Sequence, residues 1–105
     1  GAGLLESVYE HCLVSELKDR GFKVLRQVNL PIYYKGKKLN KEFFIDILVE
    51  DAIIVELKCV ETLSPVHEVQ LLTYLRLADK KLGLLLNFNV AVMKDGIKRK
   101  INGYL

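Results

Sequence analysis

The sequence predicts an α/β fold in which a mixed β-sheet is flanked by helices. Two segments, residues 4–20 and 64–80, repeat apolar side chains at three- and four-residue spacings, as amphipathic helices do. Stretches rich in β-branched residues lie between them, and residues 83–88 form a short apolar run after the second helix. A buried strand that follows a helix indicates a crossover connection and parallel pairing. The expected order is helix, three antiparallel strands, helix, strand and strand.

The first half of the chain supplies one helix and three strands. Residues 4–20 place their apolar side chains on one stripe, and Gly21 provides a helix stop. Residues 22–34 follow as a strand, in which Pro31 indicates an edge or a bulge. A basic hairpin turn at residues 34–38 ends this strand. The next two strands are expected at residues 43–49 and 53–60.

The second half begins with a capped helix. Ser64 is a helix cap, Pro65 suits the first helical position, and the helix is expected to run to about Lys80. A turn at residues 95–96 precedes a last strand at residues 97–101. Helical spacing gives two stripes. The stripe expected to pack in the core contains Val66, Val69, Leu72, Leu75 and Leu77, and the other contains His67, Gln70, Tyr74 and Ala78.

Composition limits the class of protein. The chain has 105 residues, 50% of them hydrophobic and 28% charged, which predicts a single domain over residues 1–105. The net charge of +3 permits a nucleic-acid partner without requiring one. No stretch resembles a membrane span or a signal peptide, so we expect a cytoplasmic location and no membrane partner. Two isolated cysteines, Cys12 and Cys59, argue against a zinc site or a disulfide framework and are expected to be buried.

Three ionisable side chains interrupt the apolar strands on either side of an acidic turn at residues 50–52. Asp46 lies on the first strand, and Glu56 and Lys58 lie two residues apart on the second, where they share one face. Because Asp46 and Glu56 are equidistant from Asp51, a three-residue turn places their carboxylates opposite each other. The predicted register therefore gathers two carboxylates and an ammonium on one face of the sheet.

The local pattern allows two explanations of this cluster. In the first, one face of the hairpin is solvated and the charges point to water, as is common in antiparallel sheets. In the second, the carboxylates are buried, where they repel each other unless a cation lies between them. A hard divalent cation such as Mg2+ prefers carboxylate oxygens and would offset that repulsion. The residues alone leave both explanations open.

Three motifs, taken in chain order, resemble those of a known family. The segment GLLESVY at residues 3–9 resembles the opening of the GxxExxY family. Asp46, followed by the sequence Glu-Leu-Lys at residues 56–58, resembles the motif of the PD-(D/E)xK nuclease superfamily, in which that family is usually placed. The segment QLLTY at residues 70–74 resembles the Q-x-x-x-Y helix motif of exonuclease-like and resolvase-like members. Ile45 stands where the motif has proline, a departure that does not touch the chemistry.

The resemblance implies a restriction-endonuclease-like αβββαβ core and a Mg2+-dependent nuclease, with Mn2+ as a substitute, that hydrolyses phosphodiester bonds. Asp46 and Glu56 would ligate the metal, together with the carbonyl oxygen of Leu57. Glu6 would bind the metal directly or through water, although on its own it would simply interact with the dipole of its helix. Lys58 would orient the attacking water and stabilise developing charge. The implied catalytic residues are Glu6, Asp46, Glu56, Lys58, Gln70 and Tyr74, of which the last two would position Lys58 or a phosphate.

Basic residues are the candidates for nucleic-acid contact. The turn at residues 34–38 carries lysines beside Tyr33 and Tyr34, which indicates either a phosphate-contacting loop or ordinary solvated lysines. The last strand has a basic side. The residues expected to contact nucleic acid are Lys35, Lys37, Lys38, Lys98, Arg99 and Lys100.

The implied partner is a nucleic acid, and DNA is expected rather than RNA. A homodimer would supply substrate-binding surface that so small a chain lacks. Two other functions stay open. One is a non-catalytic nucleic-acid-binding or protein-interaction module on a nuclease scaffold, because fold does not fix activity. The other is a structural domain whose charged face is only solvated. Members of the resembled family usually carry more helix before residue 4, so we expect this chain to be shortened at its N-terminus.

Overall fold

Two helices and five strands make up the part of the chain that the computed structural model describes, residues 2–88 and 96–103. They are, in chain order, α1 (Ala2–Asp19), β1 (Val24–Tyr34), β2 (Lys37–Val49), β3 (Ile53–Lys58), α2 (Pro65–Ala78), β4 (Leu82–Asn87) and β5 (Ile97–Ile101). The strands form one sheet in the order β1-β2-β3-β4-β5. Only the β3–β4 pair is parallel within this described sheet, and α2 connects its two strands. The predicted α/β fold, with its αβββαβ order and mixed sheet, is confirmed.

The end of α1 and the start of α2 lie where the sequence indicates. Gly21 follows α1 with a φ of 90°, a conformation that glycine adopts without steric cost. Ser64 is the cap of α2, as predicted, and its N–H donates to Nδ1 of His67 over 3.1 Å. His67 thus satisfies a backbone donor that the helix itself leaves unpaired. At the other end of α2, Asp79 has a φ of 55° and closes the helix in a left-handed conformation.

Each face of the sheet carries its own hydrophobic core. On one face, Leu71 of α2 is fully buried against Leu85 of β4. On the other face, Val14 of α1 packs among residues of β2 and β3 that include Val55. Gly83 allows α2 to approach β4 closely, since a Cβ at this position would lie 2.9 Å from Cδ1 of Leu71. Burial on both faces explains why β3 and β4 are almost continuously apolar.

Strand β2 reverses the face of its side chains at Asp46. Ile45 belongs to the core under α2, whereas Ile47 belongs to the core under α1. Residues two apart on a regular strand point to the same face, so the alternation is broken between these two isoleucines. Asp46 lies at the break, so the direction of its side chain cannot be deduced from alternation.

Strand β1 makes the same reversal directly opposite. Val24 packs in the core under α1, whereas Val28 packs against the core under α2. Between them Gln27 has a φ of 50°, which is uncommon for a residue other than glycine. The pairing of β1 with β2 keeps one register through this point, so Gln27 lies across from Asp46. The two reversals therefore compensate, and the sheet continues.

The core stripe predicted for α2 is right in part, because Leu75 is fully buried and Leu72 packs against the core, but it is wrong for its other three residues. Val66, Val69 and Leu77, expected in the core, are exposed, with Val66 exposing 73% of its surface. The side of the helix that faces the sheet instead includes the second predicted stripe, of which Tyr74 is buried. Apolar residues occur around most of the circumference of α2, so helical spacing alone could not select the buried face. The buried residues of this helix are Leu71, Tyr74 and Leu75.

The β1–β2 hairpin extends past the rest of the sheet. β2 pairs with β3 only over residues 47–49, whereas its pairing with β1 continues as far as Lys37. Within the described part of the chain, residues 28–45, called the arm below, form strand pairs only with each other. The arm turns at Lys35 and Gly36, whose φ values are 51° and 77°, so the predicted basic turn is confirmed. The irregularity expected at Pro31 is also observed, as a register shift between Pro31 and Tyr33.

Three smaller predictions have different outcomes. The last strand begins at Ile97 as expected, but the turn before it includes Asp95, which lies outside the described residues. Cys12 is exposed and Cys59 is half-buried, so the expectation of two buried cysteines is wrong. In the described part of the chain, neither helix combines the length and the apolar composition needed to cross a membrane.

Candidate metal centre

Strands β2 and β3 separate beside Asp46 and Glu56. Three residue pairs join the strands, and the pair nearest the separation is Ile47 with Val55. The register is the predicted one, centred on Asp51. The backbone ladder stops one position short of Asp46 and Glu56, so these two residues meet through their side chains.

Each carboxylate accepts a hydrogen bond from the opposite strand. The N–H of Leu57 donates to Oδ2 of Asp46 over 2.9 Å, and the N–H of Asp46 donates to Oε1 of Glu56 over 3.2 Å. The two carboxylates thereby replace the carbonyl acceptors of a regular antiparallel ladder. This reciprocal bonding holds Asp46 and Glu56 next to each other at the point where the strands diverge.

Glu56 is buried among apolar neighbours, and its ionised form is electrostatically unfavourable there. Only 6% of its surface is exposed. Burial, and then the negative charge of Asp46, raise the pKa of Glu56 from 4.5 to about 9, against the weaker opposing effect of Lys58. The hypothesis of a fully solvated charged face is therefore wrong for Glu56.

The donor set at this point suits a hard divalent cation. A positive charge between Asp46 and Glu56 would offset their repulsion and favour the ionised form of Glu56. Mg2+ is commonly held by one or two carboxylates together with substrate phosphates and keeps several waters, so a site of this kind would need no more than these two acids from the protein. Across the described residues, no three His, Cys, Asp or Glu side chains form a metal-binding group. Metal binding by Leu57 and Glu6 stays a prediction.

Helix α1 brings Glu6 to the same end of the sheet. Oε1 of Glu6 accepts a hydrogen bond from the N–H of Cys59 over 3.2 Å, just beyond the end of β3. One turn further along α1, the ring of Tyr9 stacks on Phe88 with a centroid distance of 4.3 Å and an angle of 6°. These contacts fix the start of α1 over the ends of β3 and β4. The observed partner of Glu6 is a backbone donor.

Lys58 ends β3 close to Glu56 and, among the described residues, forms no ion pair. Its carbonyl accepts the N–H of Phe88 over 2.9 Å. The chain after Lys58 is held by Asn87, whose Oδ1 accepts the N–H of Val60 (3.1 Å) and whose Nδ2 donates to its carbonyl (2.8 Å). Asn87 is buried and was not among the predicted site residues. A polar residue that ends an otherwise apolar strand was the available signal.

Helix α2 contributes the other two predicted residues. Nε2 of Gln70 donates to the hydroxyl of Tyr74 over 3.2 Å. Desolvation raises the pKa of Tyr74, and so do the negative charges of Glu56 and Asp46, which places the hydroxyl within electrostatic reach of both acids. The structure therefore brings Gln70 and Tyr74 to the side of the carboxylate pair.

A second buried acid, Glu10, was not identified from the sequence. Its carboxylate accepts one hydrogen bond from Nε of Arg26 (3.0 Å) and two from Nε2 of Gln27 (3.2 and 3.1 Å). Glu10 therefore holds the residue with the unusual φ, directly across from Asp46. Its spacing of four residues before Val14 was a signal that it faces the sheet.

The basic residues of β5 do not share one face. Lys98 pairs with Leu85 on the α2 side of the sheet, whereas Arg99 pairs with Leu84 on the α1 side. Lys100 forms an ion pair with Glu68 over 2.8 Å. The expected basic side of this strand is thus divided between two faces.

An aspartate and a Glu-Leu-Lys strand that meet at diverging strands, with helices on both faces of a mixed sheet, define a nuclease-type α/β domain. The chain belongs to the PD-(D/E)XK nuclease superfamily, whose sequence model matches residues 1–100. Nucleases of this superfamily generally use divalent metals and act on nucleic acid. The expected membership is thereby confirmed at the level of the superfamily.

One solved structure shows the same fold. The crystal structure of SSO0001 matches with a TM-score of 0.64 at 24% sequence identity. The match covers 98% of this chain and 52% of SSO0001, so the chain spans about half the length of that protein. At this identity the likeness concerns the fold alone. No curated protein matches the chain.

Proposed function

We propose that this chain hydrolyses phosphodiester bonds of nucleic acid with Mg2+, or Mn2+ in its place, held by Asp46 and Glu56. The reciprocal bonding of these two acids at the strand separation carries the proposal. It keeps a buried carboxylate next to a second one, an arrangement that is unfavourable without a cation. A domain that only exposes a solvated charged face has no reason to bury Glu56.

The surrounding residues support the same chemistry. A bound cation would lower the pKa of a coordinated water and offset charge on the scissile phosphate. Lys58, without an ion-pair partner in the described chain, is available to orient the attacking water and stabilise the charge that develops on the phosphate. Gln70 fixes the hydroxyl of Tyr74, and the two would position a phosphate or Lys58.

Calorimetry with Mg2+ and Mn2+ tests the metal site. Wild type should bind either ion, and Asp46→Asn should bind much more weakly because it removes one of two anionic ligands. Asp51→Asn is the matched control, since Asp51 is exposed and pairs only with Lys80 in the described part of the chain. Absence of binding heat in wild type would contradict the proposed metal site.

Cleavage of a panel of labelled DNA and RNA strands and duplexes tests the activity. We expect wild type with Mg2+ to cleave at least one substrate, and Glu56→Ala to cleave none. Binding without cleavage by wild type would instead support a non-catalytic module on the nuclease scaffold.

Finer assignments belong to the same proposal. Membership of the GxxExxY family rests on Gly3, Glu6 and Tyr9, and the contact of Glu6 with the end of β3 supports it. A single domain over residues 1–105, a preference for DNA, a homodimer and a cytoplasmic location are proposed from the sequence. Sedimentation with and without DNA would test the homodimer.

A further inference from the structure

The arm carries the excess positive charge of the chain. Residues 28–45 contain four lysines and one glutamate, a net charge of +3, which equals the net charge of all 105 residues. The remainder of the chain is therefore neutral overall. A polyanion approaching this protein would be attracted chiefly to the arm.

Two tyrosines at the end of the arm have little protein to pack against. Tyr33 is 63% exposed and Tyr34 is 62% exposed. Neighbouring residues of a strand point to opposite faces, so each face of the arm carries one ring. Tyr33 pairs across the strands with Lys38, and Tyr34 pairs with Lys37. Each face thus presents an aromatic plane beside an ammonium group.

A row of contacts joins the middle of the arm to helix α2 and runs alongside the end of the arm that leads to Asp46. Tyr74, which shares the core under α2 with Ile45, the residue before Asp46, meets the ring of Phe43 edge-on with centroids 6.3 Å apart. Nζ of Lys41 lies 5.4 Å from the centre of the Phe43 ring. At about 3.3 Å per residue, β2 covers roughly 30 Å between Lys37 and Asp46. A strand of roughly nine stacked nucleotides spans that distance.

We propose that the arm binds an unpaired nucleic-acid strand, with bases stacked on Tyr33 and Tyr34 and phosphates held by Lys35, Lys37 and Lys38. The inference rests on the proposed function, because it leads such a strand along β2 to Asp46. Exposed rings beside cations are the usual means of holding single strands. In a duplex the bases are stacked on one another, so the lysines alone would contact it. The substrate class is therefore single-stranded nucleic acid or a single-stranded end.

Fluorescence anisotropy in EDTA separates binding from cleavage. The probes are a labelled DNA strand of roughly 20 nucleotides, the RNA of the same sequence and the DNA duplex. We expect wild type to bind both strands at least about tenfold more tightly than the duplex. Replacing both tyrosines, Tyr33→Ala with Tyr34→Ala, should weaken strand binding on the order of tenfold for each ring, and leave duplex binding nearly unchanged.

Matched variants separate stacking from other effects. Tyr33→Phe with Tyr34→Phe keeps both rings and should bind the strands as wild type does. Phe44→Ala removes another exposed aromatic of the arm, on the face opposite Phe43, and should also have little effect. Melting temperatures of all variants should match wild type, because the two tyrosines are mostly exposed.

The contribution of the lysines should be visible in the salt dependence of the binding affinity. Changing Lys35, Lys37 and Lys38 together to Gln should lower the slope of log affinity against log salt by about 2, at about 0.7 for each phosphate contact to a single strand. The tyrosine variants should leave that slope unchanged. Lys18→Gln, an exposed lysine of α1, is the control and should alter neither quantity.

Three results would overturn the inference: duplex bound as tightly as the strands, no loss of strand binding in the double alanine variant, or no strand binding by wild type. None of them decides the nuclease proposal, since cleavage with Mg2+ is measured separately. Conversely, strand binding through the tyrosines without cleavage of any substrate would support the proposed binding by the arm and contradict the proposed nuclease activity.

Discussion

The carboxylate of Glu56 occupies a position where a regular sheet would have a carbonyl oxygen, and it accepts the N–H of Asp46 there. Asp46 in turn accepts the N–H of Leu57. Neither acid can rotate away without breaking a bond to the opposite strand. The two proposed ligands are therefore held in place without a cation, as a precise metal site would require.

The raised pKa of Glu56 predicts how the stability of the metal-free protein depends on pH. The unfolded chain ionises this group near pH 4.5, whereas the folded chain keeps its proton until about pH 9. Between these values the folded state holds the additional proton, so the free energy of unfolding should fall as pH rises. Urea unfolding in EDTA at pH 5 and pH 8 measures the effect.

Glu56→Gln tests the cause of that pH dependence. The amide cannot ionise, so most of the decline between pH 5 and pH 8 should disappear, and the variant should be at least as stable as wild type at pH 8. Glu16→Gln, at an exposed ion pair with Arg20, should keep the wild-type dependence. A Glu56→Gln protein that loses much stability at pH 8 would show instead that the ionised group is a structural partner of Lys58.

The role proposed for Lys58 in cleavage can be tested by substitution. Lys58→Ala and Lys58→Arg should each slow single-turnover cleavage on the order of 100-fold or more, because the planar guanidinium of arginine cannot replace a compact ammonium beside a water. Melting temperature and Mg2+ affinity should stay near wild type. Lys81→Ala, an exposed lysine, is the control. Full activity in Lys58→Ala would exclude the assigned role.

At the level of elements, Glu10 attaches α1 to β1 at the point where the strand reverses its face. Glu10→Ala would leave Arg26 and Gln27 without their shared acceptor. Loss of a buried, charged acceptor of three hydrogen bonds should cost about 2–4 kcal/mol of unfolding free energy, measured by urea denaturation.

Glu16→Ala is a close comparison for Glu10→Ala, because both acids lie on α1 and pair with an arginine. The Glu16 pair is exposed on both sides, so its loss should cost about 0.5 kcal/mol or less. Equal effects of the two substitutions would mean that Glu10 is no more than a surface partner, and that another contact maintains the conformation of Gln27.

The sequence predicts elements better than it predicts their orientation. Alternation and turn length gave the correct register of β2 and β3, because an acidic turn centred on Asp51 leaves little choice. Alternation could not show the reversal at Gln27 and Asp46, since a positive φ at glutamine has no sequence signal. The buried face of α2 was equally inaccessible, because Val66 and Leu71 are both apolar and only the close approach to β4 distinguishes them.

Across the whole molecule, the candidate site combines the ends of elements that are distant in sequence. Asp46 and Glu56 could be paired from the sequence because one hairpin joins them. The contact of Glu6 with Cys59 crosses 53 residues, and the motif implied only that Glu6 would reach the metal, directly or through water. Asn87 and Glu10 act on backbone and on strand conformation and belong to no cluster of ionisable residues in the sequence, so the available signals were only the polar end of β4 and the spacing of Glu10 from Val14.

Hydrogen exchange should distinguish the sheet centre from the arm. Residues 53–55 of β3 pair on both sides and are covered by both helices, so their amides should exchange only through global unfolding, whereas residues 33–39 can open locally. Mg2+ at about 100 times its dissociation constant should then slow exchange in β3 about 100-fold, because the ion binds only the folded state. The end of the arm should not respond, since its opening leaves Asp46 and Glu56 together. Equal added protection in both regions would show that the arm and the metal site unfold as one unit.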